Sequence, residues 1–118
     1  SMQHYINQSK TDIQAIVTKM KQDFPLHKLR FACVAYRDWC DNADRLQSRD
    51  FTEDVDQFQQ YIASLVAKGG GDTPEDVLGG LRTAATLSWT SNTRIAFHIC
   101  DAPPHNTMYH TCTDDSYP

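Results

Sequence analysis

The sequence predicts an α/β fold with a Rossmann-like, doubly wound and mostly parallel sheet that is flanked by helices. Two short runs, residues 29–36 and 94–100, are nearly continuously apolar, which is typical of strands covered on both faces. Amphipathic patterns with helical spacing precede the first run and separate it from the second. Strands joined by helical crossovers are usually parallel, so helices are expected on both faces of the sheet.

The first half of the chain predicts a helix, a buried strand and an edge strand. From Met2 to Phe24 apolar residues recur mostly three, four or seven positions apart, and Pro25 ends the pattern. Residues 29–36 follow as a buried parallel strand, and residues 37–44 are polar and acidic, as in a loop. Residues 46–52 are poorly hydrophobic and predict a short edge strand.

Two further helices are predicted before the second buried strand. The first follows Thr52, has its apolar residues at helical spacing and ends at three glycines, residues 69–71. Thr73 is expected to cap the next helix, with Pro74 in its first position. Gly79 and Gly80 inside that helix each cost about 1 kcal/mol relative to alanine, which predicts close packing of the helix on a neighbour. Residues 94–100 form the second strand, and a loop follows it.

Composition limits the classes of function. With 118 residues, of which 40% are hydrophobic, the chain is expected to be a single domain, residues 1–118. The net charge is -4, and no basic cluster is denser than Lys19 with Lys21 or Lys28 with Arg30, so nucleic acid is not an expected partner. No apolar stretch is long enough for a membrane span.

The four cysteines show no C-x-x-C spacing. Cys33 and Cys100 lie in the strand-like runs, where a reduced thiol acts as a small hydrophobic group. We therefore expect a reducing, cytoplasmic environment.

Acidic residues collect where ligands bind in such sheets, at the carboxyl ends of the strands. Asp101 ends the second strand, and Asp72 and Glu75 lie at the glycine-rich turn into a helix. Converging carboxylates repel one another unless a cation is present, so these residues predict a site for Mg²⁺, Mn²⁺ or Ca²⁺. The alternative is structural: Thr73 and Asp76 cap the helix, Glu75 complements its dipole, and Asp101 caps the turn that follows it.

Three runs carry a resemblance to a known family. Residues 70–76 read Gly-Gly-Asp-Thr-Pro-Glu-Asp, residues 101–105 read Asp-Ala-Pro-Pro-His and residues 34–38 read Val-Ala-Tyr-Arg-Asp. In their order along the chain, these runs resemble the von Willebrand factor A domain, and most of all the forms attached to alpha-kinases and those of hemicentins. The resemblance covers nearly the whole chain. It implies a non-enzymatic protein-binding module with a metal-ion-dependent adhesion site on the upper rim of its sheet.

The resemblance also implies roles for individual residues. Asp101 corresponds to the acidic ligand after the fourth strand, and Asp72 or Glu75 to the ligand in the second loop. The family's D-x-S/T-x-S loop is missing as a whole: Ser1 with Met2 is either the tail of that loop, which makes Ser1 a metal ligand, or a cloning scar. A partner protein is expected to offer a carboxylate to the metal, and the residues expected to line its binding rim are Asp38, Trp39, Thr73 and His105.

By this resemblance the chain is a partial domain that lacks the first strand and the last strands of the family fold. The two buried strands are then expected to pair directly with each other, or with a segment of a neighbouring chain through strand exchange or dimerisation. The metal site is expected to be incomplete, with weak or absent cation binding.

Other readings remain. One is a Mg²⁺-dependent, Rossmann-like phosphohydrolase using the same carboxylates, although the chain has no G-x-x-x-x-G-K motif and no evident nucleophile. Another is a structural domain that has lost its metal. An attached alpha-kinase domain would make the full-length protein an enzyme. His98 is expected to be a hydrogen-bonded core residue, and the spacing of His105 and His110 fits no zinc site.

Overall fold

The computed structural model describes residues 3–37, 46–65, 76–100, 105–106 and 108. Within them lie three helices and two strands: α1 (Gln3–Asp23), β1 (Phe31–Tyr36), β2 (Leu46–Thr52), α2 (Val55–Ser64) and α3 (Val77–Ala85). β1 and β2 form a two-stranded antiparallel sheet. Contacts within the chain define two units: the first comprises Ser1–Cys33 with Arg49–Lys68, and the second comprises Val34–Ser48 with Gly69–Pro118.

The predicted first helix is confirmed as α1, and it ends where the sequence indicates. The Phe24 N–H still donates to the Met20 carbonyl at 2.9 Å. Pro25 has no N–H with which to continue the pattern. The His27 N–H then donates to the Phe24 carbonyl at 3.1 Å, which closes a turn between α1 and β1.

The core of the first unit lies between α1 and α2. Val17 of α1 and Phe58 and Ile62 of α2 are buried, and Phe31 and Cys33 of β1 pack against them. The rings of Phe31 and Phe58 are stacked with centroids 5.3 Å apart. The apolar spacing that predicts both helices therefore corresponds to the faces that they bury.

Polar groups fix both ends of α2. The Asp54 carboxylate accepts a hydrogen bond from the Gln57 N–H at 3.1 Å and caps the helix, which begins one residue later. At the other end the Lys10 ammonium of α1 donates to the carbonyls of Ala63, at 2.9 Å, and Leu65. α2 ends at Ser64, earlier than the glycines at which the sequence predicts its end.

The predicted start of the third helix is wrong. Asp76, and not Thr73, caps α3: its carboxylate accepts from the Gly79 N–H at 3.0 Å, and the helix begins at Val77. Both residue types cap well, and the sequence pattern does not decide between two such candidates three positions apart. The predicted close packing of this helix is confirmed, because a Cβ on Gly80 would lie 2.7 Å from the Tyr36 ring.

The prediction of a second buried strand at residues 94–100 is also wrong. Residues 94–100 are described, contain no strand and are exposed along their whole length. Ile95, Phe97 and Ile99 keep 57%, 64% and 48% of their surface in solvent. Direct pairing of this segment with β1 is therefore not observed, and the mostly parallel sheet that the sequence predicts is an antiparallel pair in the described residues.

Candidate functional site

Two segments of the second unit contact the side chain of Tyr36, the last residue of β1. Its hydroxyl and the His98 Nε2 form a hydrogen bond of 3.0 Å, and the two rings are tilted with centroids 5.9 Å apart. On α3, Gly80 leaves the room that the Tyr36 ring occupies. The end of β1, the first turns of α3 and the segment around His98 therefore meet at one side chain.

A second contact joins the start of α3 to the residue after β1. The Asp76 N–H donates to the Arg37 carbonyl at 3.2 Å. Asp76 is buried, with 6% of its surface exposed, and its carboxylate is engaged with the Gly79 N–H. The Arg37 guanidinium in turn donates to the Gln47 side-chain oxygen of β2 at 3.3 Å. One backbone hydrogen bond and one side-chain hydrogen bond thus fix the position of Arg37, directly after β1.

Several residues that the sequence predicts for the site are neighbours, along the chain, of the residues that make these contacts. Asp38 and Trp39 come directly after Arg37, Glu75 precedes Asp76, and Asp101 follows Cys100. The predicted residues outside the described part of the chain are Ser1, Asp38, Trp39, Asp72, Thr73, Glu75 and Asp101. His105 is described and is half-buried. The predicted ligand set and partner rim therefore stay predictions.

Within residues 3–37, 46–65, 76–100, 105–106 and 108, no three His, Cys, Asp or Glu residues group closely enough to hold a metal ion. The sequence motifs predict neither the contacts of Tyr36 nor the bond between Asp76 and Arg37. The strong capping tendency of Asp76, three positions before Gly79, was the available signal for where α3 starts. The backbone bond has no sequence signal, because every non-proline residue carries the same N–H and C=O groups.

His98 and Cys100 differ from expectation. His98 makes the predicted hydrogen bond but is exposed, so it is not a core residue. Cys100 is a free, exposed thiol, while Cys33 is free and half-buried. Burial raises the pKa of the Cys33 thiol from its ordinary 9.0 to about 11, because desolvation disfavours the thiolate. Cys33 is therefore protonated at neutral pH and is no nucleophile.

No helix in the described part of the chain combines the length and the apolar character that crossing a bilayer requires.

Comparison with known proteins finds one matching family and two relatives. A family model described as von Willebrand factor A domain matches residues 1–113. The alpha-protein kinase vwkA of Dictyostelium discoideum is 35% identical over an alignment of 119 positions, which covers 100% of this chain and 19% of the kinase. A putative ariadne-like RING finger protein of Acanthamoeba polyphaga mimivirus is 37% identical over 75 residues, 62% of this chain and 7% of that protein. The chain thus spans less than a fifth of either relative. No solved structure matches it significantly.

Proposed function

The chain belongs to the von Willebrand factor A domain family, and from this premise we propose that it is a non-enzymatic module that binds a partner protein through a divalent cation. Membership gives it an α/β, Rossmann-like fold and a role in protein interaction. The cation, its ligands and the partner's chemistry are the proposal. Asp101, Asp72, Glu75 and Ser1 are the proposed metal ligands.

The observation that carries the proposal is the meeting of three chain segments at the end of β1. The Asp76 N–H bonds the Arg37 carbonyl at 3.2 Å, and the Tyr36 hydroxyl bonds His98 at 3.0 Å. Each segment continues directly into proposed site residues: Glu75 lies one position before Asp76, and Asp101 lies three positions after His98. The described contacts therefore support a shared site for carboxylates that are far apart in the sequence.

The donor chemistry fits a hard cation. Carboxylates and a hydroxyl supply only oxygen ligands, which Mg²⁺, Mn²⁺ and Ca²⁺ prefer, and they offer no thiolate or imidazole to favour zinc. When bound, the cation would supply an attraction for a partner's carboxylate. Asp38, Trp39, Thr73 and His105 are the proposed contacts for that partner.

An enzymatic role has no comparable support. The match to the kinase covers 19% of that protein and carries no catalytic evidence for this chain. No observation favours the phosphohydrolase alternative. A cytoplasmic location is part of the proposal, and the free thiols of Cys33 and Cys100 support a reducing compartment.

The metal site is tested by titrating the 118-residue chain with Mn²⁺ alone, over a concentration range that reaches weak affinities because the ligand set is expected to be incomplete. Electron paramagnetic resonance measures the free ion. We expect Asp101→Ala to weaken Mn²⁺ binding by at least about tenfold, because a carboxylate ligand is lost. The matched control is Asp12→Ala, which removes an exposed carboxylate from α1 and should leave Mn²⁺ binding unchanged.

Far-ultraviolet circular dichroism of each variant checks that its fold is retained. Equal Mn²⁺ affinity in the Asp101→Ala variant and the unchanged chain, with the fold retained in both, would contradict the proposed ligand set.

A further inference from the structure

The end of α1 and the turn after it concentrate positive charge in an acidic protein. Residues 19–30, which we term the basic turn, hold Lys19, Lys21, Lys28 and Arg30 against the single acidic residue Asp23. Four positive charges and one negative charge give this segment +3, whereas the whole chain has -4. The reversal of sign marks a local surface for an anionic partner.

An apolar tip lies between the two basic pairs. Leu26 leaves 96% of its surface in solvent, and Phe24 leaves 46%. The Phe24 ring meets His27 edge-on with centroids 5.3 Å apart, so it is held at the turn and is not packed into the core. A leucine that is almost wholly exposed buries nothing within the first unit, and its apolar surface is available to a partner.

The acidic groups near the basic turn do not cancel its charge. Lys19 pairs with Asp23 at 3.0 Å and Lys28 with Glu53 at 3.4 Å, and all four side chains are exposed. Exposed pairs of this kind are weak and are screened by salt, so an anionic surface can compete for the lysines. Glu53 and Asp56, which lines a groove together with Lys21, also lie near the turn; with both counted, four positive and three negative charges leave +1.

The shape of the turn favours a flat partner over a peptide in a groove. A shallow groove beside the turn is lined by Lys21, Phe24 and Lys28 among others, but Leu26 is not part of its lining. The most exposed apolar residue thus stands outside the concave surface. Leu26 stands outside this groove and is flanked in the sequence by the lysines of the basic turn. This combination suits the interface of a bilayer, where the apolar side chain enters the headgroup boundary and the lysines meet anionic headgroups.

We propose that the basic turn binds anionic lipid surfaces, with Leu26 and Phe24 inserted and Lys19, Lys21 and Lys28 on the headgroups. A few apolar and electrostatic contacts of this size give reversible, salt-sensitive attachment. This contact uses the first unit alone and does not depend on the proposed cation.

Sedimentation with lipid vesicles tests the proposal on the 118-residue chain. One vesicle set contains about one third phosphatidylserine in phosphatidylcholine, and the other contains phosphatidylcholine only. We expect binding to the anionic set alone, weakened at least about tenfold by Leu26→Ser and by Lys21→Glu. High salt should release the chain.

Two matched controls separate the turn from general effects of charge and apolar surface. Arg82→Glu makes the same charge change at an exposed position of α3, and Met108→Ser removes another apolar side chain that is 78% exposed. Both controls should bind like the unchanged chain. Circular dichroism verifies that every variant is folded.

Three outcomes would overturn the proposal. The first is absence of binding to anionic vesicles, and the second is equal loss of binding in the turn variants and their controls. The third is binding to polyglutamate but not to vesicles, with the same dependence on Leu26 and Lys21, which would assign the turn to an acidic protein.

Discussion

Gly80 and Tyr36 show how one absent side chain positions a helix. A Cβ on Gly80 would lie 2.7 Å from Cδ1 and 2.9 Å from Cγ of the Tyr36 ring, closer than such atoms approach. Glycine within a helix costs about 1 kcal/mol relative to alanine. The close packing of the Tyr36 ring, whose hydroxyl bonds His98, offsets this cost in helix propensity.

We therefore expect Gly80→Ala to destabilise the chain by about 1 kcal/mol, because overpacking against the ring outweighs the gain in helix propensity. Urea unfolding measures the free energy of unfolding. In a Tyr36→Ala background the loss should become smaller by at least about 0.5 kcal/mol, because the two ring atoms are gone and only the Cβ of residue 36, 3.1 Å from the added Cβ, is still close. If Gly80→Ala is stabilising in both backgrounds, the contact with Tyr36 does not determine the glycine.

At the scale of elements, Lys10 links α1 to α2. Its ammonium donates to the carbonyls of Ala63 and Leu65, which lack helical partners at the end of α2. A cation at this position also complements the negative end of the helix dipole. The Lys10 side chain thereby joins two helices that also contribute to one core cluster, α1 with Val17 and α2 with Phe58 and Ile62.

Lys10→Met should lower the free energy of unfolding by about 1–2 kcal/mol, since two carbonyls lose a charged donor. Lys19→Met is the matched control: Lys19 bonds Asp23 within the same helix at 3.0 Å and is exposed, so we expect a loss below about 0.5 kcal/mol. Chemical unfolding of both variants compares them. Similar losses would show that the Lys10 contact contributes no more than a surface ion pair.

The elements differ in how far sequence could predict them. α1 and its end at Pro25 rest on local signals, apolar spacing and a missing N–H, and both are confirmed. β2 is confirmed as well. Residues 94–100 have the composition of a strand, but a strand also needs a partner for its backbone groups, and composition does not supply one. The wrong prediction for residues 94–100 therefore concerns the pairing of segments that are distant in the sequence.

The candidate site shows the same limit. Its acidic residues are recognised from sequence motifs, yet the contacts that bring their segments together are a backbone bond, from Asp76 to Arg37, and a bond between Tyr36 and His98. The first involves groups common to all residues, and the second joins positions 62 residues apart. Neither follows from local pattern.

At the scale of the whole molecule, the described core is small. Among the described residues the buried hydrophobic side chains are Val17, Phe58, Ile62 and Val77. Folding free energies of small domains are only about 5–15 kcal/mol, so the loss of one buried side chain is a large fraction of the total. Stability should therefore depend strongly on each buried side chain and weakly on the exposed apolar ones.

A pair of phenylalanines tests this difference. Phe58→Ala should cost about 3–5 kcal/mol, because it removes a ring that is 6% exposed and leaves a cavity beside Phe31. Phe97→Ala should cost less than about 1 kcal/mol, because 64% of that side chain is already in solvent. Thermal and urea unfolding give both values. A large loss for Phe97→Ala would mean that residues 94–100 are covered in solution.

The exposed apolar residues of this segment also bear on solubility. Residues 95–100 contain two isoleucines and a phenylalanine, with neither proline nor an acidic or basic residue apart from His98, which is the composition of segments that nucleate intermolecular cross-β stacking. Arg94 and the prolines at 103 and 104 flank the stretch as gatekeepers. In concentrated solution the tendency of the chain to aggregate should therefore depend on residues 95–100 and on the charge of Arg94 beside them.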